Sequence, residues 1–212
     1  MAKYTDGMMG AFRGKVGLLI GSSWKGIPYI KSLPKRKKPV RENEQLNRNK
    51  FGMAHWWLKP VKNFVRSGFK GYSEKVEGFI AAKSYILKNA FEDTGADQFI
   101  NPALVKVSYG NLSLPGNITA EKIAPDQIQF SWDISGVNED NKYDQAMLLA
   151  YDIEKGRAVY NATGQFRHIG KDVLEIALEP GRESTYHLYL AFVAADRSRQ
   201  SDSVYLGTIN LG

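Results

Sequence analysis

The chain has 212 residues, of which 43% are hydrophobic and 24% charged, a composition typical of a globular protein with a buried core. It contains no cysteine, which excludes disulfides, thiolate catalysis and cysteine-ligated zinc. The net charge of +7 is uneven: residues 1–100 hold 19 Lys and Arg against 8 Asp and Glu, and residues 101–212 hold 10 against 14. The basic half predicts an acidic partner, either nucleic acid or the acidic half of a neighbouring copy.

The start of the chain does not have the pattern of a secretory signal. Residues 1–10 are polar and Gly-rich, and the apolar run at residues 16–20 is interrupted by Gly17 and too short for a signal peptide. No stretch approaches the roughly 20 apolar residues of a membrane span. We therefore expect cytoplasmic synthesis without a membrane span, and leave open release of the protein as part of a particle.

Residues 1–33 form a basic, Gly-rich arm. Residues 15–20 and 27–33 have strand-like composition and residues 21–26 are turn-like, so the pattern predicts a β-hairpin. An isolated hairpin is marginally stable in water, so the arm requires another surface. The residues expected to form this assembly arm are Phe12, Lys15, Val16, Leu18, Ile20, Trp24, Ile27, Tyr29 and Ile30.

Residues 34–41 complete the first predicted domain, residues 1–41, as a linker in which two prolines bracket four cations. Prolines and charge repulsion favour an extended, solvated segment, although a basic cluster can also contact nucleic acid. The residues that could contact nucleic acid or another acidic partner are Arg13, Lys25, Lys31, Lys35, Arg36, Lys37 and Lys38.

Residues 42–99 form the second predicted domain, a helical segment. Its apolar residues recur at helical spacing, and Pro60 must kink the first helix or start a new one. Gly68 and Gly71 end that stripe, and a second amphipathic pattern covers residues 76–91. Trp56 and Trp57 could stack on bases, but packing between helices is the commoner use of such residues.

Residues 100–212 form the third predicted domain, an antiparallel β-sandwich, because apolar residues alternate and turn signals recur at short spacing. Along the strand at residues 186–194, the even-numbered side chains from Tyr186 to Phe192 form the better inward face. The fold class is therefore α+β. Strands are predicted near residues 104–109, 118–122, 127–133, 145–152, 158–161, 173–178, 186–194 and 204–211.

The same region carries a resemblance to a known module. The sequence Ile-Gln-Phe-Ser-Trp at residues 128–132, the turn Leu-Glu-Pro-Gly at residues 178–181 and the tyrosine-containing strand after it resemble a fibronectin type III module over residues 103–212. The resemblance implies that Trp132 is in the core and that the module binds or spaces rather than catalyses. The extra early strand at residues 104–109 departs from the family pattern.

The whole chain also resembles a family of bacterial proteins of unknown function. The matching features are the Gly-x-x-x-Gly-Lys-Val-Gly pattern at residues 10–17, Ser-Trp-Lys-Gly at residues 23–26 and Tyr-Ile-Lys-Ser at residues 29–32. Ser-Tyr-Gly at residues 108–110 and Phe-Ser-Trp at residues 130–132 complete the set. This resemblance implies no activity.

No residue pattern predicts catalysis, a metal or a cofactor. Residues 10–16 fail as a phosphate loop, since the spacing is one residue short and Val16 replaces the required Ser or Thr. No serine lies in a recognisable triad motif. The three histidines, His55, His168 and His187, lack metal-ligand spacing, and the acidic loop of Asp133, Glu139, Asp140, Asn141 and Asp144 lacks the pattern of a calcium loop.

These observations favour a non-enzymatic structural protein, a subunit of a larger homo-oligomeric particle that could be a virion, a phage-like tail or a filament. Its arm would bind a neighbouring subunit, and other structural proteins could join the assembly. The alternative is a nucleic-acid-binding protein that uses the basic half. An enzyme is the third hypothesis, for which the sequence supplies no constellation of residues.

Overall fold

A computed structural model describes residues 3–4, 10–34, 41–72, 76–93, 98–178, 181 and 183–212. The chain is a mixed α/β protein in which antiparallel sheets predominate. It divides into two compact units, Met1–Gln45 and Leu46–Gly212. None of the helices in the described ranges is long and apolar enough to cross a membrane.

The first unit contains an antiparallel sheet of four strands in sequence order: β1 (Lys3–Tyr4), β2 (Phe12–Val16), β3 (Leu19–Trp24) and β4 (Ile27–Ser32). The predicted turn at residues 21–26 is wrong, because residues 21–24 continue β3. The chain reverses at Lys25 and Gly26, whose φ angles of 49° and 83° are those of a tight type I′ hairpin turn. The arm is therefore a small sheet rather than a two-stranded hairpin.

The helical segment contains α1 (Glu42–Leu58), α2 (Lys62–Gly68) and α3 (Gly78–Asn89). Pro60 lies between the first two helices, which confirms the predicted interruption. At Gly68, an added Cβ would lie 2.4 Å from the carbonyl oxygen of Val107, so this close approach requires glycine. A hairpin of β5 (Phe91–Asp93) and β6 (Gln98–Ile100) follows. It was not predicted, because three-residue strands are too short to show alternation.

Two antiparallel sheets form the rest of the second unit. Their strands are β7 (Thr119–Ala124), β8 (Gln127–Ser131), β9 (Gln145–Asp152), β10 (Arg157–Asn161), β11 (Lys171–Glu175), β12 (Ser184–Val193) and β13 (Val204–Leu211). The strand orders are β11-β8-β7 and β10-β9-β12-β13. The predicted strands after residue 110 are thus confirmed to within a few residues.

The strand predicted at residues 104–109 is wrong. A short 3-10 turn, Pro102–Leu104, is followed by irregular chain. The backbone groups of this irregular chain do not form the hydrogen-bond ladder of a sheet. The N–H of Val107 donates to Ser203 Oγ at 3.0 Å, and the N–H of Tyr109 donates to the Gly68 carbonyl at 2.9 Å. Apolar alternation suggested a strand, but these individual bonds replace strand pairing.

In the β10-β9-β12-β13 sheet, the central strands β9 and β12 are buried on both faces. Toward the three-stranded sheet this sheet presents Tyr186, Leu188, Leu190 and Phe192, as predicted, in a core shared with Trp132. The opposite face presents a second set of buried side chains, which clusters with residues of all three helices. This second set is Met147, Leu149, Tyr151, Tyr189, Ala191 and Val193. The boundaries drawn at residues 41 and 99 stay predictions. The helices share a core with the face of the β10-β9-β12-β13 sheet that points away from the three-stranded sheet.

A hydrogen bond from Tyr151 joins α1 directly to the β10-β9-β12-β13 sheet. The buried hydroxyl of Tyr151 donates to the Trp57 carbonyl at 2.8 Å, and burial, helped by the charge of Asp152, raises the pKa of Tyr151 to about 12. Tyr151→Phe leaves a buried carbonyl unpaired, so we expect the free energy of unfolding in urea to fall by about 1–3 kcal/mol. The exposed tyrosine variant Tyr143→Phe is the control, and equal urea midpoints for the two variants would contradict the prediction.

The raised pKa also predicts a pH dependence. Above pH 10 the unfolded phenol releases its proton while the folded phenol retains it, so stability should fall between about pH 10 and pH 12. Burial also raises the pKa of Tyr189, so Tyr151→Phe should reduce this alkaline loss without abolishing it.

Candidate functional site

The strand register of the first unit separates two faces of its sheet. Lys15 pairs with Ile20, which pairs with Lys31, and paired residues project to the same side. The basic aromatic face consists of Arg13, Lys15, Ile20, Ser22, Trp24, Ile27, Tyr29 and Lys31. The aliphatic face carries Phe12, Val16, Leu19, Pro28 and Ile30, together with Gly14, Gly21, Ser23 and Ser32.

The aliphatic face is open to solvent over most of its area. Val16, Leu19 and Ile30 are 43%, 47% and 61% exposed. Phe12 is half-buried because it crosses Gly21, where an added Cβ would lie 2.0 Å from the Phe12 carbonyl oxygen and 2.6 Å from its ring. Glycine at position 21 therefore lets Phe12 of β2 lie directly against β3. The aliphatic side chains stay exposed.

On and beside the basic aromatic face, aromatic rings lie close to cations. Trp24, Ile27 and Tyr29 surround a shallow hollow of about 380 Å³. The ammonium of Lys25 lies 5.3 Å from the Trp24 ring centroid, and that of Lys31 lies 5.8 Å from the Tyr29 centroid, both within cation–π range. Flat rings beside cations can bind nucleic-acid bases and phosphates, or an acidic protein surface.

The positive charge of the protein belongs to its first unit. Residues 1–45 hold 10 Lys and Arg against 3 Asp and Glu, a net +7, whereas residues 46–212 hold 19 of each. Arg13, Lys25 and Lys31 are exposed on the described sheet. The other predicted cations, Lys35, Arg36, Lys37 and Lys38, lie outside the described residues.

The predicted arm residues do not form one surface. Lys15, Ile20, Trp24, Ile27 and Tyr29 lie on the basic aromatic face. Phe12, Val16 and Ile30 lie on the aliphatic face, and Leu18 is in the turn between β2 and β3. Leu19 was missed, although it stands in the same apolar run, because its face follows only from the pairing of β3. The contacts these residues make with a partner stay a prediction.

The two tryptophans of α1 have different surroundings. Trp57 is buried in the core between helices and sheet, with its ring edge-on to Tyr151 at 5.0 Å, which confirms the packing interpretation for this residue. Trp56 is exposed, and the ammonium of Lys59 lies 4.5 Å from its ring centroid.

The three histidines are separate. His55 Nδ1 lies 3.1 Å from Lys83 Nζ, His168 Nδ1 lies 2.9 Å from the Lys142 carbonyl oxygen, and His187 Nδ1 lies 2.9 Å from the Tyr205 hydroxyl. Burial lowers the pKa of His187. Across the described ranges, no three His, Asp or Glu side chains cluster as metal ligands would.

The acidic loop stabilises turns in its own neighbourhood. Asp133 accepts hydrogen bonds from the backbone and hydroxyl of Ser135, both at 2.8 Å, and these bonds lower the pKa of its carboxyl. Asp144 instead lies buried beside Arg167, at 3.6 Å. Asp133 therefore stabilises a turn, and Asp144 forms a buried ion pair with Arg167.

Comparison with curated proteins found no match. A family model described as a family of unknown function (DUF6266) matches residues 11–207, from β2 of the first unit into β13 of the second. The match bears out the resemblance of the whole chain to a family of unknown function. The chain belongs to the family of unknown function DUF6266.

Proposed function

We propose that this protein is a non-enzymatic structural subunit of a larger homo-oligomeric assembly, in which the N-terminal sheet binds a neighbouring subunit. One observation carries the proposal: apolar side chains of this sheet are between 43% and 68% exposed. They are Val16, Leu18, Leu19, Trp24, Ile27, Tyr29 and Ile30. Val16, Leu19 and Ile30 share the aliphatic face, and exposed apolar surface of this kind is typical of a protein interface.

Burial on a partner would stabilise the sheet itself. A small sheet needs a covered hydrophobic face for stability in water. Full burial of one aliphatic side chain contributes about 1.5–3 kcal/mol, so covering the exposed parts of Val16, Leu19 and Ile30 adds a few kcal/mol to the stability of the sheet. The aliphatic face therefore supports a partner that covers it permanently, as subunits of an assembly do.

The sheet also offers an edge. Within the described residues, β4 pairs with β3 and has no strand on its other side. Such an edge can accept a further strand, with backbone bonds supplying affinity and alternate side chains supplying register. The acidic excess of residues 101–212, net −4, supports a second copy of the chain as the partner of the basic arm.

We further propose that residues 103–212 are a fibronectin type III-like module with a spacing or binding role in the assembly. Two packed antiparallel sheets with the strand orders β11-β8-β7 and β10-β9-β12-β13, and an inward tryptophan, support this proposal. The predicted turn at residues 178–181 lies partly outside the described residues. A virion, a phage-like tail and a filament remain equivalent proposals for the particle, since a fold does not specify its function.

Deletion of residues 1–33 tests the assembly function. All the buried residues of both hydrophobic cores lie within Leu46–Gly212, so the shortened chain should melt cooperatively while its native mass falls to that of a monomer. Light scattering of the full-length and shortened proteins measures this change. An unchanged particle size after deletion would contradict the proposal.

A point variant sharpens the same test. Ile30→Glu puts a charge on the aliphatic face and should dissociate the assembly without lowering the melting temperature of the second unit. Ile80→Glu is the matched control, because Ile80 on α3 is similarly exposed, at 54%. Equal native masses for the two variants would show that the aliphatic face is not the contact.

Nucleic-acid binding is the second candidate, favoured by the rings and cations of the basic aromatic face. In physiological salt we expect the purified protein not to hold a short duplex or single strand at micromolar concentration. Submicromolar binding to a single strand would make nucleic-acid binding the preferred function if alanine at four cations weakened its salt dependence. The slope of log affinity against log salt concentration should then fall by about three. The four cations are Arg13, Lys15, Lys25 and Lys31. Alanine at the exposed lysines Lys62, Lys88, Lys122 and Lys171 is the control.

A further inference from the structure

We propose that the second unit contains a binding cleft for a small anion that carries a planar aromatic ring, with a nucleoside monophosphate as the representative ligand. This cleft, here named the Tyr109 cleft, has a volume of about 710 Å³. It is lined by Lys70, Tyr72, Lys106, Tyr109, Arg199 and Asp202, among others. The volume is within the range of small-molecule sites, and the inference goes beyond the assembly function.

Three chain segments form the cleft, and hydrogen bonds tie them together. The buried Ser108 hydroxyl donates to the Ser201 carbonyl at 2.7 Å and lies 3.1 Å from the Gly68 carbonyl oxygen. The N–H of Gly110 donates to Asp202 Oδ1 at 3.1 Å. Because the segments are joined in this way, the cleft is formed before any ligand arrives.

Glycine at position 110 is required for this junction. An added Cβ there would lie 2.0 Å from the carbonyl oxygen of Gln200. The side-chain amide of Gln200 in turn donates to the carbonyl of Tyr109 at 3.1 Å and to that of Lys70. The Gln200 amide thus holds the backbone on both sides of the cleft, which limits the reorganisation needed for binding.

An aromatic wall provides the surface for a ring. Tyr109 lies parallel to the buried ring of Phe69, with centroids 6.3 Å apart and an angle of 18°, and its contact with Tyr72 is edge-on at 5.2 Å. Tyr72 and Tyr109 are 42% and 40% exposed. A supported ring with exposed surface suits stacking against a planar ligand ring.

The charges of the cleft select an anion. Lys106 Nζ lies 2.5 Å from Asp202 Oδ2, and although burial opposes the charge of Lys106, this bond to Asp202 raises its pKa. The charges of Lys106 and Asp202 therefore cancel. Asp202 is the one carboxylate among the described lining residues, and it already binds Lys106 and the N–H of Gly110. A cationic ligand finds no open counter-charge here.

Two further cations remain at the rim. Lys70 Nζ donates to the Arg197 carbonyl at 3.1 Å, which leaves two of its three protons for another acceptor. Arg199 is exposed and interacts electrostatically with Asp196 and Asp144, and its guanidinium can bind a phosphate through two parallel hydrogen bonds. Rings on one wall and two cations at the rim together match a ligand with a flat ring and a phosphate.

Calorimetry on the full-length protein tests the proposal, with adenosine monophosphate as the probe. We expect a dissociation constant between about 10 μM and 1 mM, the range of a site with one stacked ring and one paired phosphate. Adenosine and inorganic phosphate should each bind at least about tenfold more weakly, because each lacks one of the two recognised groups. Glucuronate, an anion without an aromatic ring, should also bind more weakly.

Variants locate the binding. Arg199→Gln and Tyr72→Ala should each weaken binding of the nucleotide by about tenfold or more while the melting temperature stays that of the parent, because both side chains are exposed. Lys171→Gln and Tyr143→Ala are the controls, with exposed side chains elsewhere. The proposal is overturned by nucleotide binding absent at about 10 mM, by unchanged affinity in both cleft variants, or by tighter binding of glucuronate.

Discussion

Trp132→Ala is expected to lower the free energy of unfolding by about 3–5 kcal/mol, the cost typical of removing a large buried aromatic side chain. The ring is 5% exposed and lies edge-on to Phe192, with centroids 5.2 Å apart. Its Nε1–H donates to the Arg167 carbonyl at 2.8 Å. Alanine therefore leaves a cavity between the two sheets and removes one of the two hydrogen bonds to the Arg167 carbonyl, the other coming from the N–H of Gly170 at 3.3 Å. Urea denaturation measures the loss.

Two matched variants separate these contributions. Trp132→Phe keeps much of the ring volume but loses the N–H donor, so we expect an intermediate loss. Trp56→Ala removes an exposed tryptophan and should change stability by no more than about 0.5 kcal/mol. If Trp132→Ala melts within a degree or two of the parent, the assignment of this residue to the sandwich core is wrong.

Asp144→Ala is expected to cost about 3–5 kcal/mol, because it leaves the buried guanidinium of Arg167 without its counter-ion. Arg167 Nη1 lies 3.6 Å from Asp144 Oδ2 and donates to the Ser113 carbonyl at 2.7 Å. Both residues are almost completely buried. The urea midpoint of the variant, compared with that of the exposed-acid control Glu139→Ala, measures the effect.

The pair itself is not expected to be a net stabiliser. Burial raises the pKa of Asp144 and lowers that of Arg167, because desolvation outweighs the attraction between the two charges. An apolar double variant, Asp144→Leu with Arg167→Met, should therefore be at least as stable as the parent. A double variant less stable than the parent would show that the ion pair is a net stabiliser.

The raised carboxyl pKa sets the sign of a pH effect. The folded-state pKa of Asp144 lies above its ordinary value of 3.8, so the folded state binds this proton more tightly than the unfolded state does. The stability that the proton contributes is fully present below pH 3.8 and is lost as the pH rises through the folded-state pKa. Asp144→Asn should remove this part of the acid-range pH dependence. A profile identical to the parent's would contradict the assignment.

Local sequence determined most of the secondary structure of the second unit. The bounds predicted for β9 and β13, residues 145–152 and 204–211, are those observed, because alternation and flanking turn residues act within one strand. Pro60 and Gly68 ended helices as predicted, since their effects on the backbone are also local. The core position of Trp132, which the resemblance to a fibronectin type III module implied, is the one observed.

The tertiary structure alone decided which surfaces are covered. Periodicity identified an inward face on β12, but it did not indicate that helices bury Tyr189 and Ala191 on the other face. In the arm, the two separate faces follow from pairing between strands, and a turn of two residues instead of six changes that pairing.

The Tyr109 cleft shows the same limit most clearly. The Ser108 hydroxyl lies within hydrogen-bonding distance of the carbonyls of Gly68 and Ser201, which are 40 and 93 positions away in sequence. Neither alternation nor turn chemistry extends over such separations, so contacts of this kind become visible only when the chain has folded. Local backbone preferences indicated most helices and strands of the second unit, but not the β5–β6 hairpin or the irregular chain at residues 104–109. Packing between distant segments decided which of their side chains meet.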